Sequence, residues 1–120
     1  MIHKIMVIDD EQIVGDMARM SLEQDGYYVE TYLSGDSALE RLKSQSFDVL
    51  VTDYKMKGID GMEVLRSVKN SHPDTKVIMI TAFANLDTAM EALRESVYDF
   101  FPKPIRIKDL KGSIKRALEK

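Results

Sequence analysis

Apolar residues fall in short runs at wide intervals along the chain. Lys4-Ile5-Met6-Val7-Ile8, Tyr28 to Leu33, Phe47 to Val51 and Val77 to Ile80 are rich in β-branched residues and read as strands. Tyr98 to Phe101 is a fifth, shorter one. Between the strands, apolar positions recur at helical spacing. Residues 11 to 24 carry Ile13, Val14, Met17, Met20 and Leu22, and Gly26 stops that helix. Ser34-Gly35-Asp36 is turn chemistry leading into a short helix marked by Ala38, Leu39 and Leu42. Lys57-Gly58-Ile59-Asp60-Gly61 reads as a loop before a helix with Met62, Val64, Leu65 and Val68. Pro73-Asp74 breaks the chain. Leu86 to Arg94 is a helix, with Asn85 or Asp87 as its cap, and Ile107, Leu110, Ile114, Ala117 and Leu118 mark the last one.

Strands alternating with helices imply an α/β fold, a doubly wound parallel sheet of five strands with helices on both faces. The central runs lack polar alternation, as strands covered on both faces should. The order 2-1-3-4-5 is a common solution, and it makes strands 1 and 3 neighbours at the switch point, where ligands bind beyond the carboxyl ends. One domain spanning residues 1–120 accounts for the whole pattern.

That switch point is acidic. Asp9 and Asp10 close the first run, and Asp53 follows the third. Three carboxylates side by side repel one another, and a hard divalent cation with a preference for oxygen resolves the conflict. Thr81 ends the fourth strand and Lys103 follows the fifth, so a hydroxyl and an ammonium face the acids. That set suits a bound phosphoryl group, and a carboxylate can itself be the nucleophile that takes it.

Composition narrows the alternatives. With 44% hydrophobic and 31% charged residues, the chain has the make-up of a globular domain. A net charge of −3 gives no basic field for nucleic acid, and the absence of cysteine removes thiolate metal sites. No apolar run is long enough for a membrane span, and the N-terminus lacks an apolar signal core, which reads as cytoplasmic. His3 and His72 are isolated and make a poor metal argument, and the eight methionines read as core filler.

The ordered set Asp9-Asp10, Asp53-Tyr54-Lys55-Met56-Lys57-Gly58-Ile59-Asp60-Gly61, Thr81-Ala82 and Lys103-Pro104 resembles a receiver domain of a two-component response regulator, along essentially the whole chain. The stretch from Lys76 to Pro104 is most similar to receivers of enhancer-binding transcriptional activators. The resemblance implies a signalling switch with a flavodoxin-like fold, not a metabolic enzyme. Its only catalysis would be its own phosphoryl transfer and self-dephosphorylation. Asp53 would accept the phosphoryl from a histidine kinase phosphohistidine. Mg²⁺ or Mn²⁺ would be held by Asp10, Asp53 and the Lys55 backbone carbonyl, with Asp9 acting through metal-bound water. Thr81 and Lys103 would bind the phosphoryl, Phe100 would be the switch aromatic, and the Lys103–Pro104 bond would be cis. Phosphorylation would remodel the surface of helix 4, strand 5 and helix 5 toward an output domain or protein, or a second copy. Neither nucleic acid nor membrane is an implied direct partner.

Other readings stand beside these. The acids could cap the first helix, and Phe100 could be plain core packing. A degenerate receiver acting only as a binding module is an alternative. An aspartate-nucleophile phosphohydrolase fits poorly, because Glu11 stands where its second Asp belongs, two positions after Asp9. The chain departs from the family in three places. Lys57 replaces a common proline, which puts the rigidity of the loop in question. Lys55 and Phe83 flank the route of water to the phosphoryl, which implies slow self-dephosphorylation. Pro102 removes a strand donor, so the fifth strand should stop early or leave the ladder. Lys108, Lys111, Lys115, Arg116 and Lys120 form a basic side of the last helix, either simply solvated or pairing with Asp87, Glu91 and Glu95 across a dimer that would also use Ala89, Leu93 and Tyr98. The chain is either a stand-alone regulator or the receiver part of a longer protein.

Overall fold

β-branched and long aliphatic residues fill the middle of a parallel sheet because they pack well on a pleated surface covered from both sides. The computed structural model describes residues 1–119 and contains β1 (Lys4–Ile8), α1 (Gln12–Gln24), β2 (Tyr28–Tyr32), α2 (Gly35–Leu42), β3 (Val49–Asp53), α3 (Gly61–Ser71), β4 (Lys76–Thr81), α4 (Leu86–Arg94), β5 (Asp99–Pro102) and α5 (Ile107–Leu118). The strands are parallel in the order β2-β1-β3-β4-β5. Ile8 of β1 lies opposite Thr52 of β3, so Asp9 and Asp53 leave the same end of adjacent strands.

Alternate residues of each strand serve opposite cores. Met6, Ile8, Leu50 and Met79 pack with Leu42, Val64, Leu65 and Ala92 from α2, α3 and α4. Ile5, Val7, Val51 and Ile80 pack with Ala18, Leu22, Leu110 and Ile114 from α1 and α5. A fully buried aliphatic side chain contributes roughly 1.5–3 kcal/mol by leaving water, so these two layers dominate the stability.

The structure revises several boundaries. β3 runs from Val49 to Asp53 rather than from Phe47, with the Asp48 N–H donating to the Lys4 carbonyl at 2.8 Å and its carbonyl accepting the Lys76 N–H at 3.0 Å just before the strand. β5 continues through Pro102, which lies opposite Thr81. The Thr81 carbonyl accepts from Lys103 N–H at 2.8 Å. Alternate residues donate inward, so the Pro102 nitrogen points to the open edge and the ladder loses nothing. α1 buries Gly15, Ala18 and Leu22, while Ile13, Met17 and Met20 are exposed. The apolar spacing identified the helix but not its buried face. Half of the methionines are accordingly not core filler: Met6, Met56, Met62 and Met79 are buried, and Met1, Met17, Met20 and Met90 are exposed. Asn85, not Asp87, caps α4 through the Thr88 N–H, and Ser34 and Asp60 cap α2 and α3.

Candidate functional site

The site lies beyond the carboxyl ends of β1, β3 and β5. Carboxylate oxygens of Asp9, Asp10 and Asp53 lie within 4.8 Å of one another. Asp9 and Asp53 are buried, whereas Asp10 is exposed. Asp9 also accepts the Glu11 N–H at 2.9 Å, so it tethers the start of α1 while facing the site. Lys103 Nζ donates to Asp9 Oδ2 and to Asp53 Oδ2, both at 3.0 Å, and stands 3.9 Å from Glu11.

These charges act against each other. Burial pushes the Asp53 carboxyl above its ordinary range, the Lys103 ammonium pulls it down, and the neighbouring Asp9 and Asp10 raise it again, leaving it raised. Burial opposes the charge on Lys103, but its hydrogen bonds to Asp53 and Asp9 outweigh that and leave the ammonium harder to deprotonate. One cation thus serves three clustered acids, an excess of negative charge that suits a divalent cation with oxygen ligands.

Thr81 is fully buried at the end of β4, and its hydroxyl oxygen accepts the Phe83 N–H at 2.9 Å, leaving its own proton to donate elsewhere. The Lys55 ammonium lies 4.9 Å from the centre of the exposed Phe83 ring, so the β3–α3 and β4–α4 loops meet through these side chains. Phe100 is half-buried against the α2–α3–α4 core layer. The Lys103–Pro104 peptide is cis. On the other side, an apolar cleft of about 750 Å³ runs between α1 and α5, past Val14, Met17, Ile107 and Leu110, and ends at Asp9, Asp53 and Lys103.

The flanking charges are arranged differently from the sequence expectation. Arg66 of α3 binds Glu91 at 2.7 Å and Glu95 at 3.3 Å, while Asp99 holds Arg116 at 3.7 Å and Asp25 holds Lys111 at 3.3 Å. Four of the residues assigned to a pairing between copies, Glu91, Glu95, Lys111 and Arg116, are therefore engaged within one chain. Lys120 lies outside the described residues. Leu86, Met90, Leu93 and Tyr98 are exposed on and beside α4. Among the described residues, no helix is long and apolar enough to cross a membrane.

Gly61 is a site residue that sequence reasoning left as part of a loop. A Cβ built there would collide with the Asp53 carbonyl oxygen. Its signal was its place in the acidic block, but spacing alone does not reveal which backbone it touches.

Comparison with known proteins shows the family and the fold. The family model for the response regulator receiver domain matches residues 5–115. The DNA-binding transcriptional regulator NtrC of Escherichia coli K12 is 33% identical over 114 residues, covering 95% of this chain and 24% of the relative. The nitrogen assimilation regulatory protein NtrX of Azorhizobium caulinodans is 33% identical over 121 residues, covering 99% of this chain and 27% of the relative. This chain thus spans about a quarter of the length of these relatives. Among solved structures, a response regulator receiver domain protein from Clostridium thermocellum superposes with a TM-score of 0.91 at 35% identity, covering 98% of this chain and 94% of that one. The beryllofluoride-activated NtrC4 receiver domain dimer superposes at 0.90 with 32% identity, covering 95% and 94%.

Proposed function

Because this chain belongs to the response regulator receiver family, a family of regulatory domains, we propose that it is a phosphorylation-controlled switch with Asp53 as the acceptor. The observation that carries this reading is the convergence of Asp9, Asp10, Asp53 and Lys103 at one strand rim. An Asp53 carboxylate oxygen attacks the phosphorus of a histidine kinase phosphohistidine. A P–O bond forms as the P–N bond breaks, and the imidazole leaves. Lys103 follows the incoming charge, exchanging part of its contact with Asp53 for a phosphoryl oxygen. Thr81 donates its free hydroxyl proton to another. Mg²⁺ or Mn²⁺, held by Asp9, Asp10, Asp53 and the Lys55 carbonyl, would neutralise charge on the transferred group.

The output side is the face of α4, β5 and α5. There Phe100 links the site to a surface on which Leu86, Met90, Leu93 and Tyr98 are exposed. That face fits an output domain or a second copy of the chain. With the internal ion pairs described above, a second copy would be held mainly by apolar contact.

Intact mass after incubation with Mg²⁺ and acetyl phosphate tests the reading. One phosphoryl is expected on the wild type, none on Asp53→Ala, and none with EDTA present. A wild type that gains no adduct while binding its partner unchanged would favour a degenerate binding module instead.

A further inference from the structure

The loop from Tyr54 to Asp60 must hold the acceptor and the Lys55 carbonyl in place, yet it lacks the expected stiffener. Lys57 stands where many receivers have proline, and Gly58 sits at φ +78°, in the left-handed region that glycine enters freely. The structure shows other constraints on this segment. The Gly61 N–H donates to the Tyr54 carbonyl at 2.6 Å and closes the loop on itself. A Cβ at Gly61 would overlap the Asp53 carbonyl oxygen and stand 2.9 Å from Tyr54 Cα, so the start of α3 rests directly on the acceptor's main chain. That carbonyl also accepts the Thr52 hydroxyl at 2.9 Å, and the Tyr54 N–H is tied to Ile80 at 3.2 Å. At the far end of the loop, Ile59 fills the space a side chain would need at Gly35. Its Cγ1 would be 2.6 Å from a Cβ there, and Val64 Cγ2 would be 2.9 Å away.

We propose that Gly61, abutting the Asp53 main chain, and Ile59, seated on Gly35, are positioning residues for phosphoryl acceptance and metal binding. They supply through packing the rigidity that residue 57 does not. The proposal rests on Asp53 being the acceptor. Neither residue touches the reacting atoms; both act by fixing the backbone that carries the Asp53 carboxylate and the Lys55 carbonyl, where a small misplacement is enough to cost rate.

Three variants test it: Gly61→Ala, Ile59→Ala and, as a control, Gly15→Ala, whose added methyl would meet Thr31 at an ordinary 3.6 Å. Mn²⁺ affinity is measured by electron paramagnetic resonance, phosphorylation rate with acetyl phosphate at saturating Mg²⁺, and melting temperature alongside. Gly61→Ala is expected to lose about tenfold in both Mn²⁺ affinity and rate, Ile59→Ala roughly threefold, and Gly15→Ala nothing in either. If Gly61→Ala does not fold, Ile59→Ala alone decides. Folded variants with a lowered melting temperature but wild-type Mn²⁺ affinity and rate would overturn the proposal. A wild type that neither binds Mn²⁺ nor gains a phosphoryl would overturn the acceptor reading beneath it.

Discussion

At the scale of single residues, the contact between Lys55 and Phe83 gives the proposed switch a measurable lifetime. The Lys55 ammonium stands 4.9 Å from the Phe83 ring centre, and in the proposed switch the two side chains would flank the route of water to a phosphorylated Asp53. An apolar ring there would exclude the attacking water, and the lysine would place charge over the phosphoryl oxygens. Phe83→Ala is therefore expected to shorten the acyl-phosphate lifetime roughly three- to tenfold, or about 0.6–1.4 kcal/mol of barrier. The check is the decay of phosphorylated protein after the phosphodonor is removed, and an unchanged decay would remove Phe83 from the account. Sequence spacing placed these two residues near the site because each is two positions beyond a strand-end residue. That they touch each other was not legible, since it depends on how two loops from different strands fold over the rim.

At the scale of elements, α4 is the helix least committed to the core. Ala92 is its one buried residue, while Leu86, Met90 and Leu93 face outward. Arg66 of α3 reaches across to Glu91 and Glu95 and ties it down. These charges are exposed, and such pairs add little to global stability. Their effect is local, because the helix has little else to hold it. Arg66→Ala should leave the melting temperature nearly unchanged while amides of α4 exchange with deuterium on the order of fivefold faster. Exchange confined to the wild-type rate would show that packing alone fixes the helix. The presence of α4 was readable from its cap and spacing, but its weak attachment was not. The same limit applies to α1, where Ile13, Met17 and Met20 are exposed while Gly15, Ala18 and Leu22 are buried, Gly15 lying close against Thr31 of β2. Hydrophobic spacing reports that a helix forms; the face it buries is decided by the space its neighbours leave.

Across the whole molecule, two carboxylates make stability depend on pH in opposite senses. Asp53 has a folded pKa above its unfolded value, so the folded state holds that proton longer. The stabilisation is present at low pH and is lost as pH rises through 3.8 and the raised folded value. Glu30, bound by Arg41, Tyr28 and Tyr32, is held down to about 2 from 4.5. Its contribution is present above 4.5 and is lost as pH falls toward 2. Near neutral pH, without metal, Asp53→Asn should raise the melting temperature by several degrees, about 1 kcal/mol, by relieving the crowded acids. Mg²⁺ should then raise the wild-type melting temperature and leave that of the variant almost unmoved. Glu30→Gln should flatten the acid limb below pH 4.5. Thermal melts across pH, with and without Mg²⁺, check all three. The strand order that gathers these acids was legible because continuous apolar runs alternating with helices leave few ways to wind the sheet. The Glu30 cluster was legible only in part: the period of two along β2 puts Tyr28, Glu30 and Tyr32 on one face, but no spacing connects them to Arg41 of α2.

Pro102 on β5 bears on how copies of this protein can associate. A sheet edge with every N–H free can recruit a strand from another molecule, and that growth has no natural end. Here the nitrogen turned toward the open edge belongs to proline and has no hydrogen to offer. Strand addition along this side lacks that donor, and the Phe100 N–H is already held by the Asp99 carboxylate at 3.1 Å, which favours association through side chains. The residue that looked like a defect in the fifth strand keeps its edge from becoming a seed for fibres.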